Sequence, residues 1–135
     1  MDSILRKNIF LFLALGGFIL VSDQLSKILI RLNGGFYICN PHIAFNLKIP
    51  EFLFGILWTI IICLLIYAYR RGLLHNILYL TLILSGAMAN MLDRFWWGCV
   101  IDFIDLGFWP VFNLADSFIT LGAIMLIITY LKAKR

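Results

Sequence analysis

The chain has 135 residues, of which 63% are hydrophobic and 13% charged, and its mean hydropathy is +0.99. These values lie far outside the range of a soluble domain and indicate an integral membrane protein. The net charge of +4 comes from basic residues that flank apolar segments, so it reflects membrane topology and excludes nucleic acid as a partner. A chain of this length is expected to form one domain, residues 1–135.

Four apolar segments are long enough to cross a hydrocarbon layer of ~30 Å, which takes about 20 helical residues. They run from Asn8 to about Ile30, from Phe52 to Tyr69, from Leu73 to Leu92 and from Val111 to Leu131. None shows the period-two alternation of a barrel strand, so all four are predicted to be helices. The first is expected to be a permanent span, because no small-residue cleavage site follows it.

The basic residues predict the orientation of these spans, because short cytoplasmic loops retain Lys and Arg. Seven of the eleven basic residues precede the first span, join the second to the third or end the chain: Arg6, Lys7, Arg70, Arg71, Lys132, Lys134 and Arg135. Both termini are therefore predicted to be cytoplasmic. Segments 31–51 and 93–110 are predicted to face outward, where most of the acidic residues also lie.

Polar residues near the outer ends of the first and third spans need a reason, since charge is costly within a membrane. Asp23 and Lys27 are four residues apart and can pair on one helix face. One interpretation is a simple helix-end ion pair whose lysine reaches outward to water. Gly86, Asn90 and Arg94 repeat every four residues, and a small-residue packing seam held by one amide is the structural alternative there.

The segment "FWWGCVIDFIDLGFWP" between the third and fourth spans is rich in aromatic residues, which predicts an interfacial loop. Its "VIDFID" stretch is predicted to be extended, with Asp102 and Asp105 on different faces, so that only one easily faces a site. In the next segment, Asn113 and Asp116 have a spacing related to the capping box of a helix N-terminus. An acid there is also favoured by the helix dipole.

The outer acids and Arg94 at one membrane depth suggest either a cation site or an acid–base pair. Closely spaced oxygen ligands are missing from the sequence, which argues against a metal. His75 is predicted to be cytoplasmic and His42 is the only histidine outside, and the sequence shows no nucleophilic serine or cysteine arranged with a histidine as in a catalytic site, so a two-aspartate mechanism remains. Cys39 and Cys99 both lie on the outer side, but nothing in the sequence indicates their proximity, and pairing is the less favoured outcome.

Five ordered blocks, "SDQLSK", "NPHIAFNL", "ANMLDR", "VIDFID" and "FNLADS", together resemble the lipoprotein signal peptidases, also called type II signal peptidases. The resemblance implies that Asp102 and Asp116 are the catalytic pair and that no metal or organic cofactor is needed. It also implies supporting or substrate-contacting roles for a further set: Asp23, Lys27, Asn40, Phe45, Asn90, Arg94 and Asn113. The chain departs from the family pattern at three glycine positions, which hold His42, Ser85 and Ala89, and its outer connections are shorter.

The family reaction is hydrolysis of the bond before a diacylglyceryl-modified cysteine, which removes the signal peptide from a prolipoprotein. The resemblance therefore implies prolipoprotein substrates, lipid partners and a bacterial cytoplasmic (inner) membrane location, with the site near the outer leaflet. The expected fold is an all-α monomer with four transmembrane helices, a small extended or β element between helices one and two, and an interfacial loop between helices three and four. The alternatives are a non-catalytic lipopeptide-binding relative and a four-helix cation-coupled transporter, whose acids would lie near the membrane midplane.

Overall fold

The computed structural model describes residues 3–41, 51–70 and 77–133. These residues form four helices and two short strands: α1 (Ser3–Leu32), β1 (Ile38–Asn40), α2 (Glu51–Arg70), α3 (Ile77–Trp97), β2 (Val100–Asp102) and α4 (Leu114–Ala133). The prediction of a mostly helical chain with a small β element is confirmed. Two segments, Arg6–Leu32 and Leu114–Lys132, have the length and composition of a membrane span, and the arrangement with four spans stays a prediction.

Two helix boundaries differ from the predicted spans, and both differences lie close to the acidic residues. α3 continues to Trp97, past the predicted end of the third span, so Asp93 and Arg94 are helical. The predicted start of the fourth span at Val111 is wrong, because α4 begins at Leu114. Phe112, two residues before the helix, forms an antiparallel bridge with Ile104 instead, which keeps the chain extended there.

Helix α3 packs against both α1 and α4, and small side chains allow the close approach. A Cβ atom added at Gly86 would lie 2.6 Å from the carbonyl oxygen of Ala115, in the first turn of α4. A Cβ atom added at Gly16 of α1 would lie 2.7 Å from the Ser85 Oγ of α3. The predicted small-residue seam is therefore present along α3, the helix that also carries part of the polar cluster described below.

The two strands form an antiparallel pair in which Ile38 lies opposite Asp102 and Asn40 lies opposite Val100. β2 is completely buried, whereas β1 is largely exposed. A disulfide joins Cys39 to Cys99, with 5.5 Å between their Cα atoms, although the sequence favoured unpaired cysteines. The sheet lies against the end of α3 that carries Asp93, since the Ile101 amide of β2 donates a hydrogen bond to that carboxylate.

Candidate active site

Asp102 is the last residue of β2, and only 3% of it is exposed. Its two carboxylate oxygens accept hydrogen bonds from two amide side chains, Asn40 Nδ2 at 3.0 Å and Asn113 Nδ2 at 2.7 Å. The pKa of Asp102 is raised to about 6, chiefly by burial and also by the nearby charge of Asp116, against the lowering effect of the two amide hydrogen bonds and of the Lys27 charge. Asp102 therefore holds a proton far more readily than an exposed aspartate.

Asp116 lies in the first turn of α4 and is half-buried. Its amide donates to Asn113 Oδ1 at 2.9 Å, and its Oδ2 accepts from the Asn113 amide at 3.3 Å. This reciprocal pair is a capping box, so the predicted helix cap is confirmed. The other oxygen, Oδ1, accepts a hydrogen bond from Asn90 Nδ2 at 2.8 Å. The Asp116 carboxylate is therefore held by Asn113 on one oxygen and by Asn90 on the other.

Two asparagine side chains link the aspartates. Asn113 Nδ2 donates both to Asp102 Oδ1 and to Asn90 Oδ1, the latter at 3.0 Å, and Asn90 in turn donates to Asp116. Asn113 is fully buried, so its position is tightly defined. Neutral amides orient the two carboxyl groups without neutralising either, and the pair stays electrostatically coupled. The site thus offers a carboxyl group with a raised pKa, Asp102, linked through two amide side chains to a second carboxyl group, Asp116.

A buried ion cluster lies directly beneath these amides. Lys27 Nζ lies 2.6 Å from Asp23 Oδ2, 2.7 Å from Asp93 Oδ2 and 3.2 Å from Asn90 Oδ1. The predicted pairing of Asp23 with Lys27 is confirmed, but the lysine does not reach outward, because only 2% of it is exposed. Asp23 Oδ1 also accepts a hydrogen bond from the Ala115 amide at 2.9 Å. The cluster therefore joins α1, α3 and the start of α4.

Two members of this network, Asp93 and Gln24, were absent from the residues that the sequence singled out. Gln24 Nε2 donates to Asp93 Oδ1 at 2.7 Å and to the Ala89 carbonyl at 3.1 Å. The available signal was helical spacing, because Asp93 follows Asn90 by three residues and shares its face. For Gln24 the signal was an uncharged amide inside an apolar run, three residues before Lys27.

The remaining predicted residues have different outcomes. Arg94 is half-buried, and its charge acts on Asp93, Asp102 and Asp116. Phe45 and His42 lie outside the described residues. Asp105 is exposed and accepts a hydrogen bond from the Gly107 amide, as expected if only one loop aspartate faces the site. In the part of the chain that the structure describes, no three His, Cys, Asp or Glu side chains are grouped as a metal site.

Three comparisons with known proteins agree. The family model described as signal peptidase (SPase) II matches residues 15–132. A lipoprotein signal peptidase of Moorella thermoacetica is 42% identical over 135 aligned residues, covering 85% of this chain and 89% of the relative. A lipoprotein signal peptidase of Syntrophomonas wolfei is 51% identical over 73 residues, which cover 53% of this chain and 49% of the relative. A solved bacterial membrane enzyme superposes with a TM-score of 0.80 at 28% identity, covering 93% of this chain and 90% of that one.

Proposed function

This chain belongs to the signal peptidase II family and has that family's peptidase function, and we propose that it is an aspartic endopeptidase with Asp102 and Asp116 as its catalytic pair. One observation carries the proposal: Asn113 and Asn90 connect the two carboxyl groups by hydrogen bonds in a buried setting. A purely structural role would not require two acids on different elements to be linked through the side chains of Asn113 and Asn90. Paired aspartates of this kind divide into one protonated and one ionised group.

We assign the proton to Asp102 and the negative charge to Asp116. Asp102 is the more buried of the two, and its pKa of about 6 leaves about a tenth of the free enzyme in that protonated form at neutral pH. Asp116 is the more accessible of the two and lies in the first turn of α4. This division gives each carboxyl one task, and the charge of Asp116 makes ionisation of Asp102 less favourable.

The hydrolysis then follows from these two protonation states. Asp116 accepts a proton from a water molecule as the water oxygen attacks the scissile carbonyl carbon, while the Asp102 proton is donated to the carbonyl oxygen. Collapse of the tetrahedral intermediate breaks the C–N bond, and the leaving amine takes the proton that Asp116 had received. The carbonyl reforms as its hydroxyl proton returns to Asp102, so both acids recover their starting states.

The substrates are prolipoproteins, and we propose that the bond cut is the one before a cysteine that carries a diacylglyceryl group. An apolar cavity of about 370 Å³ lies between α1, α2 and α3 and is lined by residues that include Phe12, Leu20 and Met91. Such a cavity suits acyl chains. One of its lining residues, Met91, directly follows Asn90 of the polar site in the sequence. Exposed Trp96 and Trp109 at the site end suit the interface with lipid headgroups.

The finer description of the protein follows the same reasoning. We propose one membrane-embedded peptidase domain, residues 1–135, acting as a monomer in the bacterial inner membrane. Its four helices would cross the membrane with both termini in the cytoplasm and the aspartate pair near the outer leaflet. A cation-coupled transporter fits less well, because the acids of the described helices α1, α3 and α4 gather at one end of the bundle, whereas a transporter needs them near the midplane.

The test is cleavage of a purified diacylglyceryl prolipoprotein, followed by the shift of the product on a gel. Asp102→Asn and Asp116→Asn, each purified as a folded protein, are expected to lose activity by three orders of magnitude or more, about the effect of removing an essential catalytic group. Asp105→Asn is the matched control, since that aspartate is exposed on the same loop. Retained turnover in either dyad variant would exclude the assignment, and a chain that binds the lipopeptide without any turnover would be a non-catalytic relative.

A further inference from the structure

We propose that the Cys39–Cys99 disulfide is a positioning element of the active site, which holds Asn40 of β1 against Asp102 of β2 so that opening the disulfide slows cleavage. The inference rests on the proposed role of Asp102. It assigns no contact with substrate to either cysteine. Their effect passes through Asn40, the residue that follows Cys39 and donates to Asp102 Oδ2 at 3.0 Å.

The disulfide lies beside the hydrogen bond that it would support. Cys39 is opposite Ile101 in the strand pair, one residue before Asp102. Cys99 comes immediately before β2 and is 3% exposed. The covalent link between the two sulfur atoms therefore fixes both the distance between the strands and the register that brings Asn40 to the carboxylate.

The two strands are unequally anchored without this link. β2 is buried along its whole length, and two hydrogen bonds hold Ile101. Its amide donates to Asp93 Oδ2, and its carbonyl oxygen accepts from Asn113 Nδ2. β1 has only three residues, and its first residue, Ile38, is 38% exposed. A two-stranded pair of this length is marginal in water. The disulfide thus attaches a weakly held strand to a firmly held one.

Opening the disulfide is expected to act on the Asp102 carboxyl group through the Asn40 hydrogen bond. The other charged groups that act on Asp102 belong to three helices and keep their own contacts: Lys27 of α1, Arg94 of α3 and Asp116 of α4. The Asn40 hydrogen bond stabilises the ionised form of Asp102, so its loss raises the pKa of that group. The alkaline limb of the rate profile should then move upward by about one pH unit. The limiting kcat, measured on the acid side of that limb where Asp102 is protonated, should fall by about tenfold.

The experiment compares the oxidised enzyme, the enzyme reduced with tris(2-carboxyethyl)phosphine and the Cys39→Ser/Cys99→Ser variant, all in the same detergent micelles. We expect a lower kcat, a smaller change in KM and the alkaline shift in both the reduced enzyme and the variant. Reoxidation of the reduced enzyme should restore the original values. Cys63→Ser is the matched control, because Cys63 is a free cysteine on α2, and it should respond to reductant as the wild type does.

A double-mutant cycle separates positioning from general stabilisation. Asn40→Ala should reproduce the shift in the oxidised enzyme, and adding it to the Cys39→Ser/Cys99→Ser variant should change the profile no further. Additive effects, or an unchanged profile after the disulfide opens, would overturn the inference while leaving the peptidase assignment intact. So would global unfolding on reduction, seen as lost tryptophan fluorescence, since the link would then act on the whole fold. Absence of cleavage by the oxidised wild type would instead contradict the proposed function.

Discussion

Replacing Lys27 by methionine tests the buried ion cluster, because methionine keeps most of the side-chain volume and removes the charge. Both acidic partners lie within 2.7 Å of Lys27 Nζ, so the facing oxygens of Asp23 and Asp93 are at most about 5 Å apart. At an effective dielectric constant near 20, two such charges repel by about 3 kcal/mol. That value agrees with the roughly 3 to 5 kcal/mol expected when one partner of a buried ion pair is removed.

The assay is thermal unfolding of purified protein in detergent micelles, read by tryptophan fluorescence, with a decrease of roughly 10 °C expected for Lys27→Met. Lys7→Met is the matched control, since Lys7 is an exposed lysine on the same helix, and its midpoint should stay at the wild-type value. Adding Asp93→Asn to Lys27→Met removes one of the repelling charges and should recover part of the loss. An unchanged midpoint for Lys27→Met, or no recovery in the double variant, would refute the electrostatic reasoning.

Two further variables test the site. The kcat/KM of the wild type should fall as pH rises through about 6, because Asp102 then loses the proton that the proposed mechanism uses; a profile that is flat from about pH 5 to 8 would contradict this role. Gly86→Ala should lower both thermal stability, by about 1 to 3 kcal/mol, and cleavage, because its Cβ would meet the Ala115 carbonyl at the start of α4. Gly55→Ala, whose Cβ meets nothing within 4 Å, should lower neither measurement.

Features set by local spacing were predictable from the sequence. The three-residue interval from Asn113 to Asp116 predicted a helix cap, and the four-residue interval from Asp23 to Lys27 predicted an ion pair. Both contacts are present. Helical geometry alone brings such residues together, so no knowledge of the rest of the chain was needed.

Contacts between distant segments were not predictable in this way. The disulfide joins cysteines 60 residues apart, and Lys27 meets Asp93 only because α1 and α3 cross with small residues between them. The burial of Lys27 was missed for the same reason, since a lysine near a helix end is ordinarily expected to reach water. The family resemblance implied catalytic roles for the two aspartates and supporting roles for the asparagines. The hydrogen bonds that connect these side chains are seen only in the structure.

The hydrogen bond from the Ala115 amide to Asp23 has a consequence for the order in which the protein is assembled. It joins residues 92 positions apart. Helix α1 therefore leaves the ribosome long before α4, whose Ala115 amide completes the contacts of the Asp23 carboxylate. Asn113 and Asp116 are synthesised later still than Asp102, and a nascent chain without them has only half of the proposed catalytic pair. Proteolytic competence would therefore begin with docking of α4, and unfinished chains in the membrane would leave neighbouring proteins uncut.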